Sequence, residues 1–238
     1  MAATNSFTWG SLLTSVSDTM SHFGVDPHVG IDLLLTSGLL AVLAYFGGKK
    51  YRKSKMVEPS GKLDFATFFE IVISGLYNFT KNIIGEKAKP LFFLIGSLAF
   101  FIFVNSAIGA VPGFNPPTDQ FNVTIVLGLV VFITYHILGI REHGFGYIKQ
   151  FLGPVWYLSW LMLPIELISH CVRPVSLAIR LFGNVTGDHK VGLIFIGIFP
   201  VILPLPFLAW GLFVAGLQTF VFLLLTLSYI QMAVSHDH

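Results

Sequence analysis

Eight polar or ionisable residues recur inside a long apolar stretch, residues 155–190, and all but one of the steps between them are three or four positions. They are Glu166, Ser169, His170, Arg173, Ser176, Arg180, Asn184 and Asp188. Because residues three or four apart share one face of a helix, the spacing predicts a single helix with a polar stripe. The stripe would extend about 33 Å, close to the thickness of the hydrocarbon layer of a membrane. The pattern therefore predicts a helix that carries ionisable groups across a bilayer.

Arg180 is the most informative residue of this stripe. An arginine in the middle of a membrane costs about 2.5–3.5 kcal/mol on insertion scales, and it keeps its charge. No acidic residue lies within one helical turn of Arg180, and no other apolar segment supplies an obvious carboxylate at that depth. We therefore expect Arg180 to face a wet cavity or a carboxylate of a different subunit. The alternative is that the stripe only holds neighbouring helices together.

The composition indicates the fold class. Of the 238 residues, 54% are hydrophobic and only 11% are charged, whereas soluble domains carry roughly 25% charged residues. The apolar residues fall in runs near the ~20 residues that a helix needs to cross a bilayer. Since only helices and closed barrels satisfy their backbone in lipid, and the alternation of a barrel is absent, the sequence predicts an all-α integral membrane protein.

Apolar runs and their breaks predict about five transmembrane helices and one interfacial amphipathic helix, with the last two helices long and tilted. The extramembrane arm covers residues 1–29, and a single transmembrane domain covers 30–238. The predicted spans are 30–48, 91–111, 122–140, 155–190 and 207–232, and the interfacial helix is 63–86. Phenylalanines, valine, leucine and isoleucine at helical spacing, interrupted by polar groups, favour the surface location of that helix.

The distribution of lysine and arginine predicts the orientation. Basic residues concentrate in 49–62, 81–89 and 141–149, whereas the proline-rich loop 112–121 has none. Because basic short loops stay on the cytoplasmic side, we expect the N-terminus outside and the C-terminus inside. The single cysteine, Cys171, excludes an internal disulfide. No spacing typical of metal ligands, nucleotide loops or catalytic nucleophiles occurs, so we expect no cofactor, no metal, no nucleic acid and no bond chemistry.

Four sequence blocks resemble one known family. The stretch PIELISHCVRPVSLAIRLFGNVTGDHKVGLIF closely resembles the signature of the a subunits of F-type ATP synthases, in which Pro174 to Leu177 precede Arg180 to Asn184. VPGFNPPTDQFNVTIVLGLVVF, GIREHGFGYIKQFLGP and LQTFVFLLLTLSYIQMA resemble other parts of that family. The resemblance covers most of residues 90–233. It implies a non-catalytic subunit that couples proton translocation to ATP synthesis.

The resemblance also implies residue roles. Arg180 matches the essential arginine, which separates two aqueous half-channels and faces the acidic residue of each passing c subunit. The resemblance places four residues on the inlet side, namely Asn184, Asp188, His189 and Gln218, with His189 as a proton relay. It places on the outlet side Glu166, Ser169, His170, Arg173 and Ser176. The implied partners are the c-subunit ring, the peripheral-stalk b subunits, the lipid bilayer and the transported protons.

The sequence departs from the family at one place. Many members carry a histidine or glutamate one or two turns before the glutamine that matches Gln218, but here Trp210, Gly211 and Phe213 occupy that stretch. We expect His189 and Asp188, with water, to take over that role. His136, near the end of a span, is predicted to be a packed or interfacial histidine. Basic inner loops and compact length favour a bacterial plasma membrane.

Two other functional classes remain open from the residues alone. A stand-alone channel or secondary transporter would be expected to show repeats, or a carboxylate partner for Arg180 within this chain. A structural membrane scaffold would keep its function without Arg180. The coupling ion, proton or sodium, depends largely on ligands of the c subunit.

Overall fold

The computed structural model describes residues 33–38, 40–42, 65–109, 116–144, 146–147, 159–198 and 204–234. Its long helices are α1 (Phe65–Ile84), α2 (Ala88–Ile108), α3 (Phe121–His143), α4 (Ser159–Ile198) and α5 (Pro204–Val234). A short 3-10 turn, Gly85–Lys87, joins α1 to α2, and another, Pro117–Asp119, precedes α3. Within the described residues all regular structure is helical.

Four stretches of the described residues are long and apolar enough to cross a membrane. They are Thr67–Ile108, Phe121–His143, Met162–Gly192 and Pro206–Val234. This confirms the predicted class of helical membrane protein. The predicted first span falls largely outside the described residues, although its described parts, 33–38 and 40–42, are helical. The predicted N-terminal arm lies wholly outside them.

Helices α1 and α2 form an antiparallel pair. Gly85 begins the turn between them with φ of 70°, a left-handed conformation that glycine adopts without strain. Phe69 then stacks on Phe100 with ring centroids 6.1 Å apart, and Tyr77 meets Phe92 at 5.2 Å. The reversed order of these contacts along α2 defines the antiparallel arrangement. The location of α1 at the membrane surface stays a prediction.

One apolar core holds the last four helices together. It contains Ile95 and Ile102 of α2, Val131 and Tyr135 of α3, Leu177 and Leu181 of α4, and Phe222 and Leu227 of α5. Helix α3 approaches α4 closely at Gly128, where a Cβ atom would lie 2.5 Å from the carbonyl oxygen of Pro174. Only glycine allows this approach, so Gly128 fixes how the polar helix α4 rests on the bundle.

The two final helices are longer than an upright span requires. Helix α4 has 40 residues and α5 has 31. At 1.5 Å per residue these are about 60 Å and about 46 Å, so both must tilt to fit ~30 Å of hydrocarbon. This confirms the predicted long, tilted last helices. Helix α4 ends at Ile198, eight residues past the predicted end at 190, because apolar residues such as Val191 and Ile194 continue the helix until Pro200 approaches.

Candidate functional site

An ion pair and a 3-10 turn identify the two ends of the bundle. At one end Lys87, just before α2, pairs with Glu142 in the last turn of α3, with 2.5 Å between Nζ and Oε1. We call this the basic end. The opposite end contains the turn Pro117–Asp119, and we call it the turn end. Helix α4 runs from the basic end to the turn end, since its first half contacts the later part of α3 and its second half contacts Asp119.

At the basic end, polar residues from three helices meet. The Tyr135 hydroxyl of α3 lies 3.1 Å from Nδ1 of His170, whose Nε2 lies 3.2 Å from Oε1 of Glu166. The guanidinium carbon of Arg173 lies 5.2 Å from the centre of the Tyr229 ring of α5. We call these five residues the basic-end cluster. Three of its members come from the predicted stripe, and the two tyrosines were not predicted.

His136 lies beside this cluster. Its Nδ1 is 2.9 Å from the carbonyl oxygen of Phe132, and its ring centre is 4.3 Å from that of Tyr135. The ring centre of His170 is 5.3 Å away. His136 is therefore a packed histidine, as the sequence predicts, but it packs directly against the polar cluster rather than in an apolar position.

At the turn end, one carboxylate joins the loop to α4. The Thr186 hydroxyl donates a hydrogen bond to Oδ1 of Asp119, and Nδ1 of His189 lies 3.3 Å from Oδ2. The side chains of His189 and Asp119 are 12% and 18% exposed. Burial by itself raises the pKa of the Asp119 carboxyl, but the hydrogen bonds from His189 and Thr186 and the charges of His189 and Lys190 outweigh it and hold this pKa below its ordinary value.

Between the turn end and the middle of α4, a second polar contact connects the two long helices. The Asn184 side-chain amide donates a hydrogen bond of 2.6 Å to Oε1 of Gln218. Gln218 is buried in α5, whereas Asn184 is exposed. Two residues predicted on the inlet side from the resemblance are therefore direct partners.

Arg180 lies between these groups on an exposed face of α4. Along the helix axis it is about 15 Å from His170 and about 14 Å from His189. Within the part of the chain that the structure describes, Arg180 makes no ion pair and no hydrogen bond. Ser176 and Asn184, one turn before and one turn after Arg180, share its face of the helix. A permanent charge thus lies halfway along a membrane helix, with no counter-ion among the described residues.

Three predicted residues are not drawn into these contacts. Ser169, Ser176 and Asp188 make no hydrogen bond or ion pair to the described residues. Asp188 was expected to share the role of His189, but adjacent helical residues differ by about 100° in direction. Asp188 therefore lies on the stripe face with Asn184, while His189 shares the face of Thr186 and contacts Asp119.

Sequence reasoning missed Asp119, Thr186, Tyr135 and Tyr229. Asp119 carried a usable signal, because it is the single charged residue of the loop 112–121. The two tyrosines carried none, since aromatic residues are common in apolar helices and their partners depend on how the helices pack.

The sequence matches the family described as ATP synthase A chain over residues 33–231. It is 41% identical to ATP synthase subunit a of Geobacter sulfurreducens, over 88% of this chain and 90% of the relative. It is 46% identical to the subunit of Citrifermentans bemidjiense, over 76% and 77%. It is 40% identical to that of Trichlorobacter lovleyi, over 95% and 93%.

Proposed function

Since the chain belongs to the ATP synthase A chain family, whose members are the non-catalytic proton-conducting subunits of the Fo membrane sector, we propose that Arg180 separates two proton half-channels along α4. The chain is a multi-pass membrane subunit that translocates protons, and its bacterial relatives place it in a bacterial plasma membrane. The family excludes the stand-alone transporter and the structural scaffold left open by the residues alone.

The inlet half-channel is formed at the turn end. Asn184 and Gln218 supply linked amide groups, and His189 supplies an imidazole that can relay a proton. Asp188 lies on the stripe face one turn beyond Asn184, where it adds a carboxylate to the same route. The lack of basic residues in the loop 112–121 favours the outer side of the membrane for this end.

The outlet half-channel is formed at the basic end. His170 contacts both the Tyr135 hydroxyl and the Glu166 carboxylate, so these three groups form a chain of hydrogen-bonding partners. Arg173 and Ser176 lie on the same helix between this chain and Arg180. Lys81, Lys87 and Arg141 at this end favour the cytoplasmic side, where the proton would be released.

A single observation carries the proposal. Arg180 is exposed on α4, midway between the two polar groups, with no counter-ion in the described part of the chain. Such a charge is costly in a membrane unless a carboxylate of another chain reaches it. The partner that fits is the carboxylate of a c-subunit ring passing along α4. Association with peripheral-stalk b subunits rests on the family resemblance alone.

The geometry gives each group a role in rotation. A proton entering at the turn end neutralises a ring carboxylate, which can then move into lipid. When that carboxylate returns to Arg180, the positive charge favours its ionised form, and the proton leaves through the basic end. Arg180 also repels protons that would pass directly between the half-channels. A membrane potential of 100 mV contributes about 2.3 kcal/mol for each charge moved.

The test is ATP-driven proton pumping in inverted vesicles containing the Arg180→Ala variant of the whole complex. We expect no detectable pumping, with assembled complex in the membrane at the wild-type level. Arg141→Ala is the matched control, because Arg141 is an exposed arginine at the end of α3 outside both half-channels. Coupled pumping by Arg180→Ala at the wild-type rate would refute the proposed role.

A further inference from the structure

We propose that Asp119 is the positioning residue for proton uptake, because it holds the His189 ring through Nδ1 and places a carboxylate beside it. This inference rests on the proposed function, in which the turn end is the inlet. The last helix offers no ionisable group in the two turns before Gln218, where Trp210, Gly211 and Phe213 stand. The pair of Asp119 and His189 supplies ionisable groups at the same end of the bundle. Asp119 comes from the turn before α3, and His189 comes from α4.

The hydrogen bonds determine which nitrogen of His189 takes up the proton. An ionised carboxylate only accepts hydrogen bonds, so Nδ1 of His189, 3.3 Å from Oδ2 of Asp119, must carry a hydrogen. The neutral imidazole then has its lone pair on Nε2. The Thr186 hydroxyl donates to the other oxygen of the same carboxylate and fixes its orientation. Asp119 therefore selects one tautomer and leaves Nε2 as the proton acceptor.

The surroundings leave this carboxylate ionised. Hydrogen bonds and nearby positive charge hold the pKa of Asp119 below its ordinary value of 3.8 despite partial burial. The turn packs against α2, α3 and α4. On the described residues of these helices near the turn, the charged or titratable groups are His189, Lys190 and Asp188, and Asp188 lies on a different face of α4. Asp119 is thus the carboxylate that serves as counter-ion for a protonated His189.

Buried polar atoms at the same end indicate a water route to this pair. Thr118, beside Asp119, has a buried hydroxyl oxygen, and Asn105 and Ser106 in the last turn of α2 have buried side-chain oxygens, all without a hydrogen-bond partner among the described residues. Buried polar groups in proteins are almost always satisfied, and those without protein partners are commonly bonded to water. These three atoms mark where water would approach the turn.

The proton transfer needs no other reactant. Nε2 of His189 binds a proton from water and becomes imidazolium, whose charge is balanced by Asp119. The same proton then leaves Nε2 towards the ring carboxylate, past the linked amides of Asn184 and Gln218, and neutral imidazole is restored. Asp119 stays ionised throughout, so it acts through His189 and does not carry the proton.

The experiment measures passive proton conduction through Fo in vesicles stripped of the catalytic sector, with the pH of the two sides set independently. The variants are Asp119→Asn, which keeps the shape but removes the charge, Asp119→Glu, and Thr186→Val, which removes the hydroxyl that orients the carboxylate. Glu70→Gln is the control, a carboxylate-to-amide change on an exposed face of α1. Complex assembly is measured in the same membranes.

We expect Asp119→Asn to shift the dependence of conduction on outer pH by about one unit towards acid, which lowers flux about tenfold on the alkaline side. The dependence on inner pH should be unchanged, because the outlet is untouched. Thr186→Val should give a smaller shift in the same direction, and Asp119→Glu should restore part of the loss. A merely structural role would lower the amount of complex without moving the outer-pH profile.

Wild-type outer-pH profiles in assembled Asp119→Asn and Thr186→Val complexes would overturn the inference. If Asp119→Asn does not assemble, Thr186→Val decides the matter on its own, with an unchanged profile as the refuting result. Neither outcome affects the role of Arg180, because that role is tested by Arg180→Ala in coupled pumping. Failure of the proposed role of Asp119 and failure of the half-channel scheme are therefore distinguishable.

Discussion

Asn184 and Gln218 are joined by a hydrogen bond of 2.6 Å, which connects α4 to α5 one helical turn beyond Arg180. The contact links an exposed amide to a buried one, so the polar route on the surface of α4 continues into the interface between the two longest helices. Arg180 is thereby bordered by an amide bridge on the turn-end side, where protons are proposed to arrive.

Gln218→Leu tests this bridge. The substitution keeps a side chain that can fill much of the same space and removes the acceptor for Asn184. Because Asn184 is exposed, its amide can bond to water, and we expect the fold to lose only about 1 kcal/mol. ATP-driven proton pumping should fall about tenfold, equivalent to about 1.4 kcal/mol of barrier.

The control for that prediction is Thr226→Val, two turns further along α5, which removes a buried hydroxyl bonded to the carbonyl oxygen of Phe222. It should leave pumping near the wild-type rate. Equal pumping by Gln218→Leu and wild type would show that the bridge has no part in conduction.

Gly128→Ala tests the approach of α3 to α4. The added methyl group would collide with the backbone of Pro174, which cannot move without displacing the polar helix. Overpacking of this kind costs about 1–3 kcal/mol, so we expect less assembled complex and a lower thermal midpoint in detergent. Gly96→Ala on α2 is the matched control, because its new methyl group would have no atom within 4 Å other than those of its chain neighbours and the local backbone of its own helix. Equal stability of the two variants would contradict the described packing.

Tyr135→Phe tests the outlet. It keeps the ring in the core but removes the hydroxyl that contacts Nδ1 of His170. We expect passive proton conduction to fall several-fold and the loss to depend on inner pH, the reverse of the side dependence expected for Asp119→Asn. Leu227→Val, a change of one methylene in the same core, controls for altered packing. If the loss of conduction depended on outer pH instead, Tyr135 would not belong to the outlet half-channel.

The sequence predicted the site best where a single residue has a large free-energy cost in a membrane. Arg180 is conspicuous because no apolar segment of the chain can neutralise it, and the spacing of its neighbours at three and four residues predicts a helix without knowledge of any partner. The four apolar helices are predicted for a similar reason, since the thickness of a bilayer sets their minimum length.

The contacts between helices were not predictable in the same way. Asp119 is 67 residues from Thr186 and 70 from His189, so their meeting depends on how α3 and α4 pack at Gly128. The difference in direction between Asp188 and His189 follows from helical geometry alone, but which of the two faces meets the loop is decided by that packing. Pairings of this kind require the structure.

Pro174 has a consequence beyond the close contact with Gly128. Proline has no backbone N–H, so the carbonyl oxygen four residues earlier, that of His170, receives no hydrogen bond from it within α4. That oxygen belongs to the same residue whose ring joins Tyr135 and Glu166. The main chain thus adds an acceptor for a water molecule at the outlet, so solvation there is built into the backbone as well as the side chains.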